Sequence, residues 1–243
     1  MKKINTILAA VGALLMLTVT SANSMEFKAG VSANGLAAYA NAKETLKDTG
    51  RTTNEEAVLA TSFASIFAEV SSDEMMGLGL GISYAPEVVD LNKETRNIQN
   101  IRDNTNTGAV PGGTAEATVS GIDTGAQIVD GKINDLVSIY LTMPIADTGA
   151  YVKAGYIQAQ LVTEENLATG SKYEDVDMTG TQIGGGIERS LGDMAFWRAE
   201  GTYQMWEDIS ASGSESGGTA GTKNKIAAEL GSVTGSLSIG IAF

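Results

Sequence analysis

Glu188, Arg198 and Glu200 are the residues whose types and spacing most readily suggest chemistry. Two carboxylates beside a guanidinium can act as proton donor and acceptor. Shut away from water, the same three groups would instead neutralise one another. The chain has no histidine, so activation of a serine hydroxyl would fall to a lysine or a carboxylate. Cation binding is the second chemistry to weigh. Asp103-Asn104-Thr105-Asn106-Thr107-Gly108 has Asp and Gly at the first and sixth places of a calcium loop. Thr105, Thr107 and Thr114 stand where Asp, Asn and the closing Glu are wanted, so the stretch reads as a solvated loop. Glu164-Glu165, Glu174-Asp175-Asp177 and Glu207-Asp208 are acidic clusters on further loops, open to Ca²⁺, Mg²⁺ or a protein partner. No catalytic residue, metal ligand or cofactor is assigned.

The three ionic residues lie in a stretch, Gly180 to Trp206, that alternates with period two around a polar break at Ser190-Leu191-Gly192-Asp193. That pattern reads as a hairpin. Ile183, Gly185 and Ile187 share one face against Gln182, Gly184, Gly186 and Glu188. In the second run Trp197, Ala199, Gly201, Tyr203 and Met205 oppose Arg198, Glu200, Thr202 and Gln204. One face of the hairpin is therefore apolar and the other polar. In a soluble sandwich the charged face would meet water; in a barrel with lipid outside, the charges would pack around a polar lumen. Pairing Glu188 with Phe196 sets Gly186 against Arg198 and Gly184 against Glu200, so that glycines make room for long ionic side chains. Arg198 and Glu188 then meet on the diagonal, with Glu200 nearby.

The glycine-rich run, Glu188-Arg189-Ser190-Leu191 and Arg198-Ala199-Glu200 resemble the hairpin before the last strand of small OmpA-like and OmpX-like outer-membrane barrels. The resemblance implies an all-β fold: an eight-stranded antiparallel up-and-down transmembrane β-barrel.

The start of the chain agrees with export. Met1-Lys2-Lys3 is positive, Ile7 to Leu17 is apolar, and Ala22-Asn23-Ser24 offers small residues at a cut. Residues 1–24 are read as a cleavable signal peptide and 25–243 as the barrel domain. The apolar run falls short of the ~20 residues of a membrane-spanning helix. Removing 1–24 takes the formal charge from −13 to −15. That acidity argues against nucleic acid and against a basic grip on anionic lipid. The chain has no cysteine, so it holds neither disulfides nor a lipoprotein attachment point. No later stretch matches a membrane helix, so entry into a bilayer would be as a closed barrel.

Strands are expected at Glu26 to Tyr39, Ala57 to Val70, Gly77 to Tyr84, Leu136 to Met143, Ala150 to Val162, the two arms of the hairpin, and Val233 to Phe243. Facing is ambiguous in the second, where Leu59, Phe63 and Phe67 join Glu69 on one side; Glu69 is placed in the lumen, with a bulge able to reverse the upper half. Inner-face glycines of the third strand, Gly77, Gly79 and Gly81, are expected to leave space for ionic residues. The last strand sets Val233, Leu237, Ile239, Ile241 and Phe243 on one face and resembles the terminal strand of outer-membrane barrels, whose final Phe is read by the assembly machinery. Short turns (71–74, 144–149, 190–193) alternate with long polar loops (41–56, 86–131, 163–178, 207–225), the asymmetry of a barrel with one end toward the periplasm.

The expected lumen network is Lys28, Glu69, Lys153, Glu188, Arg198 and Glu200. Phe27, Tyr39, Tyr84, Tyr156, Trp197, Tyr203 and Phe243 are the expected interface aromatics, with Phe243 also the terminal assembly signal. Eight strands leave an interior that side chains fill, so a plugged lumen is expected over an open channel. The expected partners are outer-membrane lipid and, during biogenesis, the barrel-assembly machinery, with no nucleic acid. The resemblance carries no peptidoglycan-binding domain, hence no cell-wall tether. The reading is a structural or surface-interacting protein of the cell outer membrane. A narrow channel for small solutes is the alternative, and a lipid-modifying enzyme a more distant one.

Overall fold

The computed structural model describes residues 25–45, 52–101, 122–166, 174–212 and 225–243. The segment read as a signal peptide and the calcium-like stretch at 103–108 lie outside them. The described strands are β1 (Met25–Thr45), β2 (Thr52–Ser72), β3 (Leu78–Ile101), β4 (Ile122–Ile145), β5 (Ala150–Asn166), β6 (Val176–Leu191), β7 (Ala195–Trp206), β8 (Ile209–Ser212) and β9 (Lys225–Ala242). Each pairs antiparallel with its chain neighbour through β7, which pairs with β9; β9 then closes onto β1. Short β8 continues the line of β7 along the upper part of β9. The result is a closed eight-stranded up-and-down barrel, with no free edge along its closing junction.

Register around the wall fixes its tilt. Lys28 lies opposite Glu69, and successive partners are Gly81, Tyr140, Gly155, Gln182, Gln204, Ser232 and finally Ala38. One circuit thus climbs β1 from residue 28 to residue 38. At ~3.3 Å per residue and ~4.8 Å between strands, that stagger tilts the strands by about 40°.

Alternation sorts the side chains as a barrel requires. Val31, Ile66, Leu237, Ile239 and Ile241 all expose more than half their surface outward, while Ser32, Glu69, Arg198 and Ser238 are buried inside. β1 and β2 pair without a break from Met25↔Ser72 to Thr45↔Thr52. The bulge allowed for in the second strand is therefore absent, and Leu59, Phe63 and Phe67 point inward with Glu69.

Three expectations need correction. The long loops are shorter than the sequence suggests, because β3 runs on to Ile101 and β4 starts at Ile122, inside the stretch 86–131. The other three long loops likewise give up their ends to strands β1, β2, β5, β6, β8 and β9. The sequence there, such as Asp90 to Ile101 and Ile122 to Asp130, keeps no apolar–polar alternation, so backbone pairing continues where periodicity falls silent. Second, the hairpin turns at Gly192-Asp193-Met194, with Leu191 opposite Ala195 and Gly192 at φ +82°. Its centre lies one residue later than expected, which slides the register by two and places Glu188 directly opposite Arg198, Gly186 opposite Glu200, and Ser190 opposite Phe196.

Third, the inner glycines face mainly rings. Gly30 lies opposite Phe67, Gly240 opposite Phe196, Gly81 and Gly155 opposite Tyr140, and Gly186 opposite Tyr151. A Cβ at Gly81 would clash with the Tyr140 ring. Gly79 borders an ion as expected, with Glu69 3.1 Å from its virtual Cβ, but the Thr142 hydroxyl lies nearer still. The rings are too bulky to share their level with a facing side chain, so each lies against a cross-strand neighbour that has none.

Asn134 pairs Gln160 and Val137 pairs Gln158, so Asp135-Leu136 bulge against Ala159. Asp135, at φ +55°, accepts the Tyr84 hydroxyl at 2.6 Å. Gly81→Ala is expected to lower barrel stability by about 1–3 kcal/mol through overpacking against Tyr140. Gly235→Ala, with nothing within 4 Å of the added carbon, should be neutral or stabilising by roughly 0.5–1 kcal/mol. Urea unfolding in detergent micelles distinguishes the two.

Candidate functional site

Three cations and three carboxylates meet inside the short-turn half of the barrel. β7 brings Arg198, β6 Glu188 and β2 Glu69. The Arg198 guanidinium donates through Nη1 and Nη2 to the two oxygens of Glu69 at 3.1 and 3.2 Å, and through Nη2 and Nε to Glu188 Oε2 at 2.6 and 3.1 Å. Only 2% of the arginine is accessible. Thr142 donates a further bond to Glu69 at 3.4 Å. Lys28, from β1, bridges Glu188 at 2.7 Å and Glu26 at 3.0 Å nearer the barrel mouth. One step deeper, Lys153 of β5 pairs Glu200 of β7 at 3.0 Å. The structure thus brings Lys28, Glu69, Glu188 and Arg198 into one network, and Lys153 with Glu200 into a separate pair. Glu200, two residues along the same strand from Arg198, pairs with Lys153 of the neighbouring barrel wall instead of the guanidinium.

Aromatic rings complete the layer, and the sequence reading missed them. The Arg198 guanidinium carbon lies 5.3, 5.1 and 5.5 Å from the ring centres of Phe67, Tyr151 and Phe196, and Lys153 Nζ lies 3.9 Å from that of Tyr140. Phe67 and Phe196 also meet edge to face at 6.2 Å. Desolvated cation–π contacts of this kind contribute roughly 2 kcal/mol or more each. The available signal was positional: each of the four rings sits on the polar face of its strand.

Above the ions lies a chamber of about 50 Å³ lined with hydroxyl and amide groups, among them Ser32, Asn34, Ser138, Gln182, Thr202 and Thr234. Gln182 donates to Ser138, and Ser236 donates to Asn34 at 2.6 Å. A water needs about 10–15 Å³ on this measure, so the chamber holds a few. Toward the loop end the lumen turns apolar: Leu36, Ala85, Val88, Val89, Leu136, Ile157 and Ala159 form one buried cluster, with Phe63, Leu59 and Trp206 packed on it. Below the ions, an open mouth of about 380 Å³ is lined by Lys28, Asp147, Glu188, Arg189 and Arg198.

The seven aromatics expected at the interfaces all project outward. Tyr39, Tyr156, Tyr203 and Phe243 are exposed, and Phe27, Tyr84 and Trp197 half-buried. Phe27 and Phe243 stack at 6.1 Å, and their backbones exchange two hydrogen bonds of 2.9 Å where the ends of the wall meet. Tyr39 and Tyr203 hydroxyls lie 3.4 Å apart at the opposite rim. Of the acidic clusters, Glu174, Asp175, Asp177, Glu207 and Asp208 are exposed, and Glu207 accepts the Thr179 hydroxyl. Among the described residues no group of three or more His, Cys, Asp or Glu side chains is placed to hold a metal.

Neither a protein-family model nor a curated protein matches this chain. Among solved structures it is similar to the outer membrane protein OprG from Pseudomonas aeruginosa, at 12% identity over 90% of this chain and 96% of that one, with a TM-score of 0.47. The outer membrane protease OmpT from Escherichia coli matches at 10% identity over 90% and 97%, with a TM-score of 0.47. Ail, the attachment invasion locus protein of Yersinia pestis, matches at 12% over 88% and 99%, with a TM-score of 0.36. Likenesses at this level carry no argument about what the chain does, which rests on its own geometry.

Arg198→Met leaves Glu69 buried and Glu188 half-buried without their main partner and should cost about 3–5 kcal/mol in urea unfolding. The double variant Lys153→Met/Glu200→Gln should lose less than either single substitution, because it leaves no orphaned charge.

Proposed function

We propose that this chain is a small OmpA/OmpX-like barrel of the cell outer membrane, exported by a signal peptide cut after Ser24. Its role is structural or surface-interacting, with the ionic layer as a plug and the acidic loops presented outside. The carrying observation is the sidedness of the wall. Val31, Ile66, Leu237 and Ile239, all more than half exposed, would meet acyl chains, while the ions turn to a common axis. An apolar surface of that extent on a closed sheet is unfavourable in water and favourable in a bilayer. Phe27, Trp197 and Phe243 near one rim, and Tyr39, Tyr84, Tyr156 and Tyr203 near the other, suit the two interfaces. Phe243, exposed on the outer face beside Phe27, would also serve the barrel-assembly machinery as a recognition signal.

The six lumen ions support a plug rather than a reaction centre. Their charges cancel, and each of the three carboxylates is engaged by a lysine or by Arg198. A narrow channel is the second reading, favoured by the hydrated chamber, but the ionic layer and the apolar cluster interrupt it at both ends.

Purified protein should require detergent for solubility and migrate faster on gels unheated than boiled. In planar bilayers it should show no stable unitary conductance. Detergent-free monomers would overturn the membrane assignment, and steady unitary currents would overturn the plug.

A further inference from the structure

The apolar cluster at the loop end takes no part in the ionic layer and is separated from it by the hydroxyl-lined chamber. Ile157 and Ala159 are fully buried in it, and Val89 nearly so. Leu136 and Ala85 belong both to this cluster and to the roof of the chamber. The cluster also spans a weak junction in the wall. β2 pairs with β3 only from Ser72↔Leu78 to Ile66↔Tyr84. Beyond that point β2 pairs with β1 as far as Thr52, and β3 with β4 as far as Ile101, but among the described residues no β2–β3 pair continues. Pro86, on the β3 side of this seam, has no N–H to give to a ladder. The register shift between Glu87 and Val89 belongs to the β3–β4 side. Leu59 and Phe63 from β2 and Val88 and Val89 from β3 therefore bring the cluster together across a junction that side-chain contact alone holds.

We propose that this cluster is a second closure of the lumen, hydrophobic where the first is ionic, and that it opens by parting β2 from β3 above Ile66 and Tyr84. An apolar constriction excludes water and ions without any charged group to titrate. Opening it at the seam breaks no backbone hydrogen bond, whereas opening it at any other junction at that level would break a ladder. The closure rests on the barrel lumen alone and holds whether or not the proposed surface role is right.

The chain has neither cysteine nor histidine, so both can be introduced as unique probes. Ser138→Cys places a thiol in the chamber, where Ser138 is 4% exposed. Its labelling by a small charged methanethiosulfonate is followed on the full chain in micelles, with heat-modifiable migration as the check of folding. Ile157→Thr, added to the reporter, should speed labelling roughly tenfold, since loosening a buried contact by about 1.4 kcal/mol raises local opening by that factor. Leu36→Ser is a second variant with the same expectation, should the first fail to fold. Ala64→His with Pro86→His puts one imidazole on each side of the seam just above the last pair, Ile66↔Tyr84, and Zn²⁺ held between the two should clamp it. The clamp should slow labelling several-fold, EDTA should restore it, and Zn²⁺ should leave the reporter without the histidine pair unchanged. Rapid labelling with the cluster intact, or a rate that neither Ile157→Thr nor Leu36→Ser alters, overturns the hydrophobic closure. A clamped seam with an unchanged rate overturns opening between β2 and β3. Planar-bilayer currents, the test of the ionic plug, are read separately, because access to the chamber from one end needs no through-path.

Discussion

A guanidinium inside a closed barrel has no water to turn to, and its surroundings must be built around that fact. Arg198 reaches two carboxylates on two different strands with four hydrogen bonds of 2.6 to 3.2 Å, and three rings cover what remains of its plane. Taking an ion of this size out of water costs several kcal/mol unless partners of good geometry replace the solvent. The bidentate grip on Glu69 spans the barrel from β7 to β2, so it ties together strands that share no ladder. Much of the inner face can be understood as accommodation of this one group.

The glycines follow from it. A lumen holding Phe67, Phe196, Tyr140, Tyr151 and three ion pairs has no space for the side chains that would ordinarily face those rings. The wall is therefore bare where each ring lies flat, as Gly30, Gly240, Gly81, Gly155 and Gly186 show. The same rule recurs outside, where the Tyr39 ring lies over Gly231 at 2.5 Å from its virtual Cβ. Glycine weakens a strand by roughly 0.5–1 kcal/mol relative to alanine; ring burial and cation–π contact offset that loss.

Along its axis the lumen passes from ions to hydroxyls and amides to hydrocarbon. Among the described residues the Tyr151 hydroxyl, in the ionic layer, is buried without a hydrogen-bond partner, while the other buried side-chain polar atoms find one. The ionic layer is charge-balanced, Asn34 and Gln204 exchange bonds with serines and threonines in the middle, and the apolar cluster has nothing to satisfy. The interior is thus layered along its axis, ionic, then hydroxyl- and amide-lined, then apolar.

What the sequence determined by itself is whatever depends on alternation within one strand. Glu188 and Arg198 share the polar face of their hairpin, Leu80 and Ile239 share the apolar face of theirs, and these facings require only that the strand be extended. Eight such runs with alternating short and long connections are enough to specify an up-and-down barrel. Whatever depends on register between strands was left to the tertiary structure. A one-residue shift in the centre of the turn at Gly192-Asp193-Met194 moved the residue directly opposite Arg198 from Gly186 to Glu188, and that opposite Glu200 from Gly184 to Gly186. The aromatic cage, the apolar cluster and the extra length of β3 and β4 were hidden for related reasons. Rings and glycines meet only across strands. Leu36, Val89 and Ile157 are far apart in the chain and converge only when the barrel closes. Polar strands beyond the belt carry no periodicity, because water accepts either face.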